Sequence, residues 1–466
     1  FFNDTATTEI YTSLFVGSVR VYKRQIPVHP LRGKAERKII DWLKDHQERD
    51  GSWGGIQPPW VYSLIALHQL GFEMDHPVME QGFSGFEGFV IEDEETFIVQ
   101  PCISPVWDTC LAQIALVESG IPVSSSMIQK STRWLLNRQI LEPGDWQVRA
   151  KGTEPGGWSF EFENVQYPDI DDAAEVIIAL ASVHLPPEED FRRIEAVERC
   201  LKWLLALQSK NGGWASFDKD NNRKYLAKIP FADFGEILDP PSVDVTAHLV
   251  EMFGKLGYSQ GFDPLQRACD YIKREQEADG SWFGRWGVNY IYGTGAVLPA
   301  MAAVGEDMGQ PYIRQAVDWL LDHQNCDGGW GESCGSYADP NLHGVGPSTA
   351  SQTSWALLAL MAAEEVDNPA VHAGIRFLME SQTSEGCWDE PHFTGAGFPG
   401  YLVGERPDEL PKPGERGHQG RNASAGFMIN YHLYRNYWPL LALGRFSKLS
   451  APVSYTHLTL PTNREV

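Results

Sequence analysis

The 466-residue chain carries a formal charge of −24, with 42% hydrophobic and 21% charged residues, so it has the material for a large buried core and is not disordered throughout. That charge argues against an electrostatic grip on nucleic acid or anionic lipid, and no apolar run reaches the roughly 18 residues that a bilayer span needs. The seven cysteines form no CxxC pair, which argues against a thiolate metal site or a disulfide framework and reads as reduced, mostly buried thiols in a cytoplasmic protein.

Residues 1–25 and 451–466 lack the periodicity of the rest. Both read as foreign to the fold, as translated adapter sequence would be, and are set aside; the first also lacks the basic start and apolar core of a signal peptide. Between them one pattern recurs six times: a Gln, three or four residues, a Gly, one residue and a Trp. It occurs as Gln47/Gly51/Trp53, Gln139/Gly144/Trp146, Gln208/Gly212/Trp214, Gln276/Gly280/Trp282, Gln324/Gly328/Trp330 and Gln382/Gly386/Trp388. Each Gln ends a segment with apolar residues at three- and four-residue steps, as in 196–208 and 313–324, the spacing of an amphipathic helix. The Gly supplies a C-terminal turn and the Trp a large face to pack on the Gln amide, so the motif reads as a clasp between helices.

A second class of helix alternates with these, in segments that begin near Trp107, Asp169, Ser242, Tyr290, Thr349 and Arg435. They are apolar on more than one face, and a helix of that kind is buried on nearly all sides. Alternation of the two classes predicts an all-α protein with two concentric rings: a closed α/α barrel (toroid) of six inner and six outer helices over residues 104–450. The inner-type helix at 58–71 is surplus to it, which makes residues 26–103 the remnant of a second, N-terminal α/α barrel.

Several inner helices open on Pro with polar or aromatic residues, as in Ser104-Pro105-Val106-Trp107-Asp108, Tyr167-Pro168-Asp169-Ile170-Asp171-Asp172 and Asp239-Pro240-Pro241-Ser242-Val243-Asp244. In a toroid these starts gather at one end of the central cavity, so Asp108, Asp169, Asp171, Asp172, Asp244 and His248 can converge. Helix capping explains one or two of the three acids at 169–172. A magnesium site of Asp169, Asp171 and Glu175 is a further reading, but no basic cluster accompanies it to hold a diphosphate. The crowding itself favours an acid: three buried carboxyls cannot all ionise, so one keeps its proton, and a His such as His248 can orient it. Trp107, Phe160, Phe217, Trp286, Tyr292, Phe398, Phe427, Tyr431 and Tyr434 lie near inner helix starts or their loops. They read either as core packing or as a cavity of π faces that attracts a cation without attacking it.

These residues carry a resemblance. From about Lys34 to Leu449 the chain resembles the squalene–hopene cyclases: the clasps look like that family's QW repeats, and Asp169-Ile170-Asp171-Asp172 like its DxDD acid motif. Residues 51–60, 104–109, 239–248 and 280–297 are similar to further signatures. The resemblance implies a protonation-initiated cyclisation of squalene to hopene or hopanol, without cofactor or metal. Asp171 would be the proton donor, Asp169 and Asp172 would support its charge state, His248 would hydrogen-bond to it, Asp244 would assist, and Tyr292 would be a polar partner. Trp107, Asp108, Phe160, Phe217, Trp286, Phe398 and Phe427 would bind squalene or stabilise cations. Tyr431 and Tyr434 would stand near the first-formed rings, and Ile56, Gln57 and Pro58 at the far end, where the cascade stops. It further implies a bacterial protein held peripherally on the cytoplasmic side of the inner membrane, with room for a homodimer and no nucleic-acid partner.

Three departures accompany the resemblance: Ala173 stands where the family has Thr, Phe217 where it often has Tyr, and a polar Gly/Pro-rich stretch runs from about Tyr401 to Ala423. The chain also begins partway through the family's second barrel. Other readings are a cyclase of another polyprene, of the tetraprenyl-curcumene type, an inverting α/α-barrel glycosidase, which needs an open polar cleft, and a protein prenyltransferase subunit, which needs a zinc ligand set.

Overall fold

The computed structural model describes residues 31–223, 238–337, 339–398 and 427–450. The two terminal segments set aside above and the 401–423 stretch lie outside them. Helices α1 (Arg32–Asp45), α2 (Gln57–Gln69) and α3 (Pro77–Glu87), with the hairpin of β1 (Val90–Glu92) and β2 (Phe97–Val99), close over a small core of their own around Trp53, Trp60, Leu67 and Met79.

The remaining helices form one large core in a barrel-like arrangement. Six of them, α4 (Pro105–Glu118), α6 (Ile170–Ala181), α8 (Val243–Lys255), α10 (Tyr290–Ala303), α12 (Ala350–Ala362) and α14 (Tyr434–Ser450), pack each on the next, and α14 returns to α4. Their sequences explain the position: every residue from Ala350 to Met361 and from Tyr290 to Met301 is buried. Outside them lie α5 (Ser126–Asn137) on α4, α7 (Asp190–Leu207) on α6, α9 (Asp263–Arg274) on α8, α11 (Pro311–Asp322) between α10 and α12, and α13 (Pro369–Ser381) on α12. These bury one stripe, as α9 does with Leu265, Ala268, Cys269 and Ile272. A short ladder of β3 (Gly395–Phe398) and β4 (Phe427–Ile429) is the second departure from an all-helical chain. Among the described residues no helix is long and apolar enough to cross a membrane. All seven cysteines are free thiols, and three of them, rather than most, are buried.

The clasps tie the two helix classes together by hydrogen bonds. In all six, a Trp indole N–H donates to the carbonyl four residues before the Gln, at 2.7–2.9 Å: Leu43, Leu135, Leu204, Ile272, Leu320 and Leu378. The Gln amide donates to a nearby Gly carbonyl, and five of the six reach on to the following outer helix, at Val78, Ala196, Pro264, Tyr312 and Ala370. In the five regular clasps the Gly has φ between +83° and +100°. At Gly212 a Cβ would lie 2.3 Å from the Arg267 carbonyl, so no other residue fits there.

The second clasp corrects the sequence reading. Gln139 binds the carbonyl of Gly156, and its Trp is Trp158, not Trp146. Gly144 has an extended backbone at φ −142° and precedes a short 3-10 turn. An insertion between Gln139 and Gly156 happens to repeat the Gly-x-Trp spacing, and nothing in a linear pattern separates the two.

Three of the clasps also hold an inner helix start. The carbonyls of Trp158, Trp214 and Trp330 accept the amides of Asp169, Ser242 and Thr349, the N-cap residues of α6, α8 and α12. The amides of Trp214 and Trp330 in turn donate to Thr246 and Thr353, four residues beyond those caps. At the matching place in α6 stands Ala173, which offers no hydroxyl. Ala173→Thr is therefore expected to add about 1 kcal/mol of stability, measured as a higher denaturant midpoint at unchanged slope; a lowered midpoint would show that the larger side chain overfills the site.

Candidate active site

The acid run sits where α6 begins, pinned from both sides: the Asp169 amide on Trp158 and the Ile170 amide on the Ser216 carbonyl, both at 2.7 Å. Asp169 takes the capping role, its Oδ1 accepting the amides of Asp171 at 2.8 Å and Asp172 at 3.4 Å. Asp171 is thereby left to project its carboxyl at the cavity, where Oδ1 lies 2.6 Å from His248 Nδ1, in the second turn of α8. Glu175, one turn further along α6, brings Oε1 to 3.9 Å from the same nitrogen.

Burial dominates the electrostatics here. It raises Asp169 and Asp172 well above the usual carboxylate range, and each is pushed further by its neighbouring acids. Burial also lifts Glu175 to about 8, although His248 pulls it back. On His248 burial favours the neutral ring, but the charge and hydrogen bond of Asp171, with Glu175 and Asp244, outweigh it and lift the imidazolium to about 10. Among the described residues Asp172 Oδ1 has no hydrogen-bond partner. Protonated Asp169 and Asp172 beside one imidazolium are the charge state this arrangement favours.

These groups stand at the wall of a cavity of about 400 Å³, a size in the range of small-molecule sites. Asp169, Asp171 and Asp172 line it together with Trp107, Phe160, Phe217, Trp286, Tyr292, Tyr431, Tyr434 and Ile56. The rings are fixed against one another: Tyr431 stacks on Tyr434 at 4.4 Å, Phe160 meets Tyr431 edge-on, Phe217 meets Trp286 likewise, and the Trp107 indole donates to the Tyr434 hydroxyl at 3.0 Å. Beneath His248 a smaller space of about 50 Å³ runs between the inner helices, lined by Glu175, Glu251, Tyr292, Trp355 and Arg445.

Other sequence-predicted residues are placed differently. Asp244 lies behind the wall, with Oδ2 accepting the amides of Arg285 and Trp286 at 2.8 Å each, so it presents the Trp286 ring rather than facing the cavity. Asp108 does not line the cavity; it accepts from Ser104 and Tyr437. Gln57 turns its amide to the carbonyls of Val99 and Gln100, and neither it nor Pro58 lines the cavity. Phe398 and Phe427 face each other as backbone partners in the β3–β4 ladder, and their side chains lie outside the described residues. Asp169, Asp171 and Glu175 do not converge on one point: the first caps the helix, the second meets His248, and among the described residues no three His, Cys, Asp or Glu groups are arranged to hold a metal.

Sequence reasoning missed Asp239, which accepts the amides of Ser216, Phe217 and Asp218 and so presents Phe217 as Asp244 presents Trp286. The shared Asp-Pro-Pro-Ser-Val-Asp run was the available signal. It also missed Glu161 on the cavity wall and Trp355 below His248, neither of which belongs to a motif.

The helical fold has a counterpart among solved structures. The type II terpene cyclase MstE from Scytonema superposes with a TM-score of 0.50 at 17% identity, over 90% of this chain and 99% of that one, so the fold is that of type II terpene cyclases. The family model of the squalene–hopene cyclase C-terminal domain matches residues 103–405, and that of the N-terminal domain matches residues 3–95, taking in part of the segment set aside above. The chain belongs to the squalene–hopene cyclase family. A squalene–hopene cyclase from Alicyclobacillus acidocaldarius is 47% identical over 426 residues, 91% of this chain and 63% of that protein. One from Zymomonas mobilis is 37% identical over 94% of this chain and 65% of that protein, and a dammaradiene synthase from Dryopteris crassirhizoma is 37% identical over the same shares. The chain thus spans a little under two-thirds of the length of these relatives.

The raised His248 value fixes a pH dependence. Its folded value of about 10 exceeds the ordinary 6.5 of a histidine, so the stabilisation from its charge is complete below about pH 6.5 and is lost as pH rises towards 10. Urea unfolding of the parent and of His248→Gln is expected to show a stability difference that shrinks steadily over that window; a difference constant from about pH 6 to about pH 10 would mean that the ring is neutral in the fold.

Proposed function

We propose that the protein cyclises squalene to hopene or hopanol, with Asp171 as the acid that starts the reaction. The observation that carries this reading is the 2.6 Å contact between Asp171 and His248 at the wall of an aromatic-lined cavity. An Asp171 carboxylic acid accepting a hydrogen bond from imidazolium transfers its proton readily, because the carboxylate left behind is already beside a positive charge. The proton adds to the terminal double bond of squalene, and the tertiary cation so formed is attacked by the next double bond, ring after ring. Trp107, Phe160, Phe217, Trp286 and Tyr431 offer π faces at roughly 0.5 to 2 kcal/mol each without supplying a nucleophile.

In this reading the cyclic order of α4, α6, α8, α10, α12 and α14 is the inner ring of the family's (α/α)6 barrel, the clasps are its QW repeats and residues 169–172 its DxDD motif. Proton return to Asp171 has a route through Glu175 and the space beneath it to Glu251, which lies 3.5 Å from Arg445 and 3.8 Å from Lys255. A substrate this insoluble is drawn from lipid, so peripheral contact of an apolar surface with a membrane belongs to the same reading. An open polar cleft, which a glycosidase needs, is not what surrounds these acids.

Asp171→Asn keeps the shape and removes the transferable proton. It is expected to lower squalene consumption by more than about 10³-fold with the chain still folded by circular dichroism; activity near the parent's would place the acid elsewhere. Phe160→Ala is expected to release partly cyclised products, seen by mass spectrometry of the extract below the melting temperature. An unaltered product profile with stability lower by roughly 3 to 5 kcal/mol would make Phe160 a packing residue only.

A further inference from the structure

The proposed reaction takes a proton from Asp171 at its start and must lose one at its end, so a cavity that runs it needs a second group of opposite duty. Besides the acid cluster, three carboxyls line the cavity: Asp218, Asp239 and Glu161. Asp239 is committed to three amides, and Asp218 is partly open to solvent and accepts the Lys219 amide. Glu161 is different. It is 1% exposed, and among the described residues neither of its carboxyl oxygens has a hydrogen-bond partner. The amides of Phe162 and Glu163 approach it without closing a bond.

Its placement is built rather than incidental. The carboxyl lies flush against residue 55, where a Cβ would come within 2.1 Å of it, and residue 55 is a glycine with φ +66°. Gly54, Ile56 and Cys102 share its stretch of wall. The charges acting on it most are those of Asp50 and Glu163, not those of the acid cluster. A buried carboxyl without partners costs more than the Leu or Gln that would fill the same space.

We propose that Glu161 is the proton acceptor that ends the reaction. Resting on the function proposed above, the step runs as follows: a C–H bond beside the last cation breaks, its electron pair becomes the new C=C bond, and the proton passes to the Glu161 carboxylate. Solvent then removes that proton and restores the one on Asp171, and the net change is an isomerisation. Burial, followed by Asp50, raises Glu161 to about 7 against the pull of the neighbouring amides, which poises it as a base at neutral pH. Glu48 behind it is held neutral to about 8 by its own burial and by Glu161, so the pair carries at most one charge at neutral pH.

The test is the product ratio of the protein incubated with squalene over about pH 6 to 8. Glu161→Gln cannot accept a proton, so squalene consumption is expected to continue while the alkene-to-alcohol ratio falls roughly tenfold or more. In the parent the alkene share should rise with pH through about 7, in Glu161→Gln it should be flat, and Glu161→Asp should restore the slope. A role in packing alone would not move a pH profile. An unchanged ratio and slope in Glu161→Gln would overturn the proposal and leave the function standing, whereas a parent that does not consume squalene would overturn the function. Infrared titration then still decides for residue 161: a protonated-carboxyl band that disappears near neutral pH should be lost in Glu161→Gln and kept in Glu48→Gln, and a band identical in parent and Glu161→Gln would refute the assignment.

Discussion

The constraint on which this protein depends is the desolvation of carboxyl groups. Water would take the proton from any exposed aspartate at neutral pH, so in the proposed reaction an acid strong enough for an alkene has to be kept out of water until it reacts. Asp169, Asp172 and Glu175 are shifted upward chiefly by burial, and His248 is held charged in spite of it. Burying several carboxyls is expensive, and the cost is met in part by backbone amides. Asp169, Asp239 and Asp244 each accept at least two. Those same bonds fix the loops that carry Phe217 and Trp286, so charge burial and the shape of the aromatic wall have one physical origin.

The clasps make this burial affordable at a defined place. A Trp indole bound to the helix before it and a Trp carbonyl bound to the helix after it set where α6, α8 and α12 start. For α6 the carbonyl is that of Trp158, and the helix start is the acid motif itself. Position is thus inherited from a repeat whose residues are far from the chemistry. A substitution at Gln139 or Trp158 would act on the acid through geometry, without touching the cavity.

The alternation of amphipathic and all-round apolar segments made the helix classes legible, because burial on every side leaves no polar stripe to write. The acid motif was legible for a related reason: Pro and clustered acids at a helix start serve few structural purposes, and the pairing of Asp171 with His248 followed from placing both on inner helices. What failed, failed where one-dimensional spacing is degenerate. Gly144-Asp145-Trp146 imitates Gly-x-Trp, and only the hydrogen bonds of Trp158 reveal the insertion. Gln57 looked like a cavity residue although its amide is spent on Val99 and Gln100. Asp244 and Asp239 act on backbone amides, and no residue type announces which amide it will meet. Glu161 was invisible because a lone Glu between two Phe reads as the solvated face of a strand.

The proposed carbocation in an acidic cavity also poses a problem that the wall composition resolves. Negative potential lowers the energy of every cation along the path, and carboxylates would do so most strongly, but a carboxylate in contact with a cation also captures it. Here Asp169 and Asp172, which burial keeps protonated, share the cavity wall with a set of aromatic rings. A ring attracts a cation through its quadrupole and forms no bond with it, and the packing of Phe160 on Tyr431 and of Phe217 on Trp286 keeps those faces from collapsing into the empty space. The division of labour between titratable groups and aromatic rings follows from that conflict: proton transfer needs groups that can form bonds, and the proposed cascade needs a surface that cannot.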